Sequence, residues 1–481
     1  MHPTSLPGEF GIGDLGVWAY RFADFLSEGG QQLWQILPLG PTGFGHSPYQ
    51  TFSSMAGNPL LISLQTLVDQ GWLGAQDLRD APGFPEGHVD FNAVIPFKKR
   101  LLRKAAAAFF RKSSNAIRNE FERFCREESF WLEDFAAFAA LKEANGESPW
   151  TRWDPDKKVD VHEQRYEKFI QFEFFRQWKE LKLHCSRHGI QIIGDIPIFV
   201  SHDSADVWTH PELFDLDAQG NPNAVAGVPP DYFSQTGQRW GNPLYRWDVM
   251  EGQDYRWWIE RVRSVLKMVD LIRLDHFRGF EKFWRIPVDS ETAIAGSWVE
   301  GPGDRFFQAL RNALGDLPLI AEDLGLITPE VHALRERWGF PGMRILQFAF
   351  ADDSPDHPYK PHNFIKNCVV YTGTHDNDTS AGWFADISDA QSRARRNSAL
   401  LYMNSIGENA VWDFIRLALS SVADTVIVPM QDVLGLGSAA RMNVPSTIGN
   451  NWQWRMQEDE LKPELAKRLS GMNRLYGRLP R

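Results

Sequence analysis

The chain has 481 residues, 43% of them apolar, with a formal net charge of −11 and a pI near 5.7. That length allows one large decorated domain or two to three ordinary ones. The acidic balance argues against a nucleic-acid or anionic-membrane surface. Cys125, Cys185 and Cys368 are three, odd and scattered, so a disulfide framework is not expected and a reducing compartment fits. There is no basic run and no zinc-type Cys/His spacing. The opening Met1-His2-Pro3-Thr4-Ser5-Leu6-Pro7-Gly8 has neither the charged head nor the apolar core of a signal peptide. No stretch is long and apolar enough to span a membrane. The expectation is a soluble, cytoplasmic protein with no nucleic-acid or membrane partner.

In chain order, short apolar runs that read as buried parallel strands fall at 33–37, 190–196, 269–274, 317–321, 343–350, 368–372 and 425–429. Amphipathic helical patterns lie between most of them, at 17–26, 164–187, 255–267, 305–314, 329–338 and 410–419. Repeated β–α alternation of this kind predicts a parallel barrel or a doubly wound sheet. The strand count is one short of the eight of a closed (β/α)8 TIM barrel, and the residues before 33 hold a loop and a helix but no strand. The expected fold is therefore an α/β barrel whose first strand is missing, with the chain starting just after it. Residues 60–160 are helix-rich and read as a helical subdomain inserted in the barrel. Residues 201–250 are rich in Gly, Pro, Asp and aromatics and read as a long ordered loop at the active site. The barrel itself is expected at 1–59, 161–200 and 251–481.

Three strand ends carry the chemistry. Leu271-Ile272-Arg273-Leu274-Asp275-His276-Phe277-Arg278 delivers an Asp, a His and two Arg to one end of an apolar run. Ile320-Ala321-Glu322-Asp323 and Tyr371-Thr372-Gly373-Thr374-His375-Asp376 deliver two further carboxylates in the same way. Their spacing, roughly 50 residues each, fits decorated strand–helix units, so all three face one mouth of a barrel. Cleavage of a glycosidic bond needs two carboxyl groups held in different protonation states. Arg273 lies two residues before Asp275, on the same strand face, and its guanidinium favours the carboxylate a nucleophile requires. Glu322 follows an apolar run with no Arg at the matching position, which favours a raised pKa and a general-acid role. A charged Asp376 beside them would raise it further. His276 and His375 each adjoin a carboxylate and can donate to sugar hydroxyls. Many of the 19 Trp sit beside Gly, Pro, Asn or Gln, as in Gln238-Arg239-Trp240-Gly241-Asn242-Pro243 and Asn450-Asn451-Trp452-Gln453-Trp454. Rings in polar loops suit the C–H faces of sugars. A rival arrangement uses Asp195, Glu322 and Asp376 as ligands for Mg²⁺ or Mn²⁺, although Arg273 would repel a cation there.

With these residues in view, the chain resembles the amylomaltase family of 4-α-glucanotransferases (glycoside hydrolase family 77 in the α-amylase clan). The resemblance runs over nearly the whole length. It is carried by Leu39-Gly40-Pro41-Thr42-Gly43, Ser47-Pro48-Tyr49-Gln50, Gly194-Asp195-Ile196-Pro197, Gly227-Val228-Pro229-Pro230-Asp231-Tyr232-Phe233, Arg239-Trp240-Gly241-Asn242-Pro243, Arg273-Leu274-Asp275-His276, Ala321-Glu322-Asp323-Leu324-Gly325 and Gly373-Thr374-His375-Asp376-Asn377. The resemblance implies that Asp275 is the nucleophile and Glu322 the general acid/base. Asp376 would bind and distort the sugar, Arg273, His276 and His375 would support that subsite, Tyr49 would stack on its ring, and Asp195 would lie nearby. Tyr232, Phe233 and Trp240 would belong to a loop arching over the acceptor side. The resemblance implies no metal and no organic cofactor.

One departure is that the family's short leading segment with the first barrel strand is absent, which suggests a truncated or misassigned start. The expected reaction is transfer of α-1,4-glucan segments, from maltooligosaccharides, amylose or glycogen-derived glucans, to glucose or another glucan. Alternatives are an α-glucan hydrolase, a non-catalytic glucan-binding relative, and a metal-dependent barrel enzyme.

Overall fold

The computed structural model describes residues 1–230 and 234–480. Its strands, in chain order, are β1 (Leu33–Gln35), β2 (Gln191–Pro197), β3 (Ala224–Val228), β4 (Gln238–Pro243), β5 (Leu271–Asp275), β6 (Lys282–Pro287), β7 (Ser297–Glu300), β8 (Leu319–Ala321), β9 (Gly342–Ile345), β10 (Cys368–Tyr371) and β11 (Thr425–Ile427). Seven of them form one sheet in the order β1-β2-β5-β8-β9-β10-β11, and every recorded pairing in it is parallel. The sheet curls on itself. Leu33, Ile193, Leu271, Ile320, Met343, Ile345, Val369, Tyr371 and Ile427, drawn from all seven strands, share one apolar cluster, which is the filled interior expected of a (β/α)8 barrel. Tyr371 Oη on β10, the strand beside the end strand β11, donates to Gln35 Oε1 on the other end strand, β1, at 2.9 Å.

Among the described residues the barrel has the seven strands counted from the sequence. Met1 lies beside β1: its carbonyl accepts from Trp34 Nε1 at 2.7 Å. Met1 and His2 line a cavity with Gln35 of β1 and Ile427 of β11.

Helices cover the outside because their apolar faces match the spacing of one turn. The helix Val161–Arg187 begins where the Asp160 carboxylate accepts from the amides of His162 and Glu163, satisfying two otherwise orphan donors. It buries Phe169, Phe174, Trp178 and Leu181 against the barrel core. Helices Phe91–Lys112, Asn115–Glu127 and Ser129–Ala144 occupy the helix-rich segment between β1 and β2. No helix among the described residues is long and apolar enough to cross a membrane.

Two expectations need correction. The run 343–350 is strand only to Ile345; Leu346–Phe348 is a 3₁₀ turn. Its apolar residues are buried, as Leu346, Ala349 and Phe350 show, but burial alone does not distinguish strand from tight turn. The region 201–250 is more than a loop. It holds β3 and β4, which join β6 and β7 in an antiparallel sheet of order β4-β3-β6-β7. β3 is Ala-Val-Ala-Gly-Val, largely buried; small residues let it lie close between β4 and β6 while giving little apolar periodicity to read. Gly227 requires its missing side chain: a Cβ there would sit 2.1 Å from the Gln238 carbonyl oxygen.

Candidate active site

Parallel pairing sets the register of the barrel mouth. Asp195 on β2 lies opposite Arg273 on β5, and Pro197 opposite Asp275. Arg273 in turn lies opposite Ile320, two residues before Glu322, which follows β8. The guanidinium of Arg273 bridges two carboxylates: Nη1 reaches Asp195 Oδ2 at 2.6 Å and Nη2 reaches Asp275 Oδ1 at 2.8 Å. Arg273 is only 4% exposed and Asp195 5%, so this network is shielded from screening by solvent. Burial works against the Arg273 charge, but Asp195 and Asp275 outweigh it and hold the guanidinium firmly protonated. Tyr49, on the segment after β1, donates its phenol to Asp195 Oδ2 at 2.7 Å.

The chain turns sharply after Asp275. His276 has the left-handed φ of 51°, an uncommon conformation for a residue with a side chain. This turn aims the His276 amide at Glu322 Oε2, 2.6 Å away, while the Leu324 amide donates to Oε1 at 2.8 Å. The Phe277 amide also donates to the Glu322 carbonyl, at 3.0 Å. Glu322 is thus fixed by backbone from two neighbouring strand ends. Burial, then the nearby Asp275 charge, push its carboxyl up to about 8, against the opposing pull of Arg273 and the two amides. Near neutral pH Glu322 carries a proton. The His276 imidazole is pushed down to about 4 by burial and is neutral. Its ring meets Trp240 edge-on, with centroids 4.9 Å apart.

The third carboxylate follows β10. Asp376 Oδ2 lies 3.4 Å from His375 Nε2, and Oδ1 accepts from Asn443 Nδ2 at 2.7 Å. Arg441 Nη2 donates to the Asp376 carbonyl at 3.0 Å. Burial raises this carboxyl, but the charge of His375 and the bonds from His375 and Asn443 prevail and hold it at about 2. The reciprocal effect of Asp376 raises His375 despite burial. The His375 ring stacks on Tyr49 at 5.1 Å, and Trp452 approaches both rings, at 5.8 and 5.7 Å.

Asp275, Glu322, Arg273, His276, Asp195 and Tyr49 are therefore brought together, with Trp240 against His276 and with His375 and Asp376 joined through Tyr49. Tyr232 and Phe233 lie outside the described residues. Asn443, Arg441 and Trp452 were not among the expected site residues. Trp452 belongs to the Trp-bearing polar run 450–454 already conspicuous in the sequence, whereas Asn443 has no local signal. The rival metal set does not converge. Asp195 is engaged by Arg273 and Tyr49, Glu322 by two amides, and Asp376 by Asn443 and His375. Two buried polar atoms, Asp195 Oδ1 and His276 Nε2, have no hydrogen-bond partner among the described residues. Buried atoms of this kind are ordinarily satisfied; Asp195 Oδ1 is the oxygen of that carboxylate left outside the bonds from Arg273 and Tyr49.

The architecture is that of a (β/α)8-type barrel with acidic groups at the strand ends. The fold matches an α-amylase from Geobacillus thermoleovorans with a TM-score of 0.50 at 11% identity, over 98% of this chain and 77% of that one. The chain belongs to the 4-α-glucanotransferase family, glycoside hydrolase family 77, whose family model matches residues 1–461. It is 48% identical to the 4-α-glucanotransferase of Thermus thermophilus, over 100% of this chain and 98% of that one. Its structure matches an amylomaltase from Streptococcus agalactiae in complex with acarbose, with a TM-score of 0.95 and 40% identity, over 100% of this chain and 99% of that one. The protein is an enzyme, a 4-α-glucanotransferase of the amylomaltase kind.

Proposed function

We propose that the enzyme disproportionates α-1,4-glucans by a retaining double displacement, with Asp275 as nucleophile, Glu322 as general acid/base and Asp376 as the carboxylate that holds the sugar at the cleavage point. The observation that carries this reading is the pairing of opposite states on adjacent strands: Asp275 bound to a guanidinium and Glu322 protonated near neutral pH. In the first step Asp275 Oδ attacks the anomeric carbon. The glycosidic C–O bond breaks, and its electron pair takes the Glu322 proton, releasing the shortened glucan. The glucosyl ester has no charge on Asp275. The like-charge push on Glu322 then disappears and its carboxylate persists. In the second step Glu322 removes the proton of an acceptor hydroxyl as that oxygen displaces Asp275. Two inversions retain the anomeric configuration.

Tyr49, Trp452 and Trp240 offer ring faces for sugars. On this reading His276 and His375, which border the same space, bond the hydroxyls of the sugar. Donors on this reading are maltooligosaccharides, amylose or glycogen-derived glucans, and acceptors are glucose or another glucan. Transfer prevails over hydrolysis when the acceptor is held in place and water is excluded, which the aromatic segment around Trp240 favours. The three free thiols support a reducing, cytoplasmic setting.

The test is incubation of the purified enzyme with maltotriose, with products resolved by chain length. Glucose plus maltopentaose and longer chains are expected. Glucose and maltose alone would make the enzyme a hydrolase.

A further inference from the structure

On the face of the barrel opposite the mouth, two helices meet through a cluster that the glucan chemistry does not use. The helix Val17–Glu28 leads into β1, and the helix Val161–Arg187 leads into β2. Asp24 projects from the first. His184 lies in the last turn of the second, and His188 is its C-cap. Positions four apart on a helix lie one above the other, and the two imidazole centroids are 4.4 Å apart. His184 Nε2 lies 2.7 Å from Asp24 Oδ1 and His188 Nε2 lies 3.8 Å from the same oxygen. One donor atom from each residue falls within 4.8 Å of the others. Tyr20, one turn before Asp24, meets the His184 ring edge-on at 5.0 Å and limits its rotation. Both ends of the helix pair face the start of the strands, where barrel enzymes keep stability rather than chemistry.

We propose that Asp24, His184 and His188 form a structural site for a divalent transition-metal ion of the Zn²⁺ class, which clips the two helices together. Two imidazoles and a carboxylate are the donor set that suits Zn²⁺ and its neighbours, and not Mg²⁺ or Ca²⁺. Bond lengths of about 2.0–2.2 Å in a tetrahedron put the donor atoms about 3.4 Å apart. The 2.7 and 3.8 Å separations bracket that value and the third lies within 4.8 Å, so rotamer adjustments of about 1–1.5 Å suffice. The side chains of His188 and Asp24 are 40% and 46% exposed, so the ion has an entry path and water can take the fourth position. The clip joins residues 160 positions apart. It anchors β1, an end strand of the seven-stranded sheet, whose recorded pairing with β2 covers three residues. The sequence hid the site because its histidine pair has only two ligands and its carboxylate is far away in the chain.

The experiment uses the full chain without a histidine tag, stripped with EDTA and desalted. Zn²⁺ is titrated calorimetrically, and Co²⁺ is titrated in parallel by visible absorption. One ion per chain is expected, with a d–d spectrum typical of four-coordinate Co²⁺. At 100-fold excess over Kd, the Tm is expected to rise by about 3 °C. His188→Ala and Asp24→Asn, both on the surface, are each expected to weaken binding about tenfold or more and to leave transferase activity unchanged. No saturable binding at one ion per chain, or binding unaltered in both variants, would overturn the proposal.

Discussion

The two halves of the barrel mouth hold their carboxylates by different means. On the side of β2, β5 and β8, Asp195 and Glu322 are buried, at 5% and 8% exposure. They are fixed by Arg273 and by the backbone amides of adjacent strand ends. After β10, the Asp376 side chain is 49% exposed and is fixed by side chains, Asn443 and His375. The contrast follows the chemistry. A carboxyl that keeps its proton near neutral pH needs burial, because solvent would stabilise its charged form. A group that grips a sugar needs an open face and a partner that can shift with the ligand. On the proposed mechanism the buried half sets the reaction and the exposed half sets where the substrate sits.

That division can be broken most severely at Asp275. Asp275→Asn should lower kcat for both transfer and hydrolysis by at least about 10⁴-fold, since the covalent route is removed. Folding should be unchanged by circular dichroism; a variant retaining a tenth of the rate would refute the nucleophile.

The next effect is in pH. On the proposed mechanism the first step needs the proton of Glu322, whose carboxyl sits at about 8. The rate should therefore hold through neutrality and fall about tenfold per unit above pH 8. Glu322→Gln should lose most activity and show no alkaline limb in what remains. Stability gives a second reading. A carboxyl raised from 4.5 to about 8 on folding favours the folded state below the lower value, and that contribution is lost as pH rises through the upper one. Glu322→Gln turns one of the two accepting oxygens into an NH2, a loss common to every pH, so its Tm relative to the wild type should be higher at pH 9 than at pH 5. An equal change at both would mean that the carboxyl is not raised.

The smallest effect sharpens the exposed half. Asn443→Ala removes one hydrogen bond to Asp376 and should lower kcat/KM about tenfold, the equivalent of about 1.4 kcal/mol. The alkaline limb should not move, because Glu322 is held from the other side of the mouth. A shifted limb would show that the two halves are coupled.

The same division explains what could be read from the chain. Asp275, Glu322 and Asp376 were legible because each ends an apolar run, and strand burial writes itself as a run of apolar letters. Arg273 and Asp275 could be placed on one face by the period of two, and the salt bridge follows. The helix Val161–Arg187 was visible over most of its length because its apolar period persists. Other features were not legible. β3 is small and buried without alternation, so its stretch looked like loop. Leu346–Phe348 continues the apolar run of β9 but turns. Asn443 reaches Asp376 across 67 positions, and Asp24 reaches His184 across 160. Pairings of that kind are made by the fold and leave no mark in local sequence.

The most direct test of the account is to trap the intermediate. The enzyme would be incubated with a 5-fluoro-α-glucosyl fluoride, which slows breakdown of the ester more than its formation, then digested with pepsin at low pH and mapped by mass spectrometry. The account predicts one added fluoroglucosyl group per chain, on the peptide containing Asp275, in the wild type and absent from Asp275→Asn. An adduct on another carboxylate, or none while the reagent is still turned over, would contradict it.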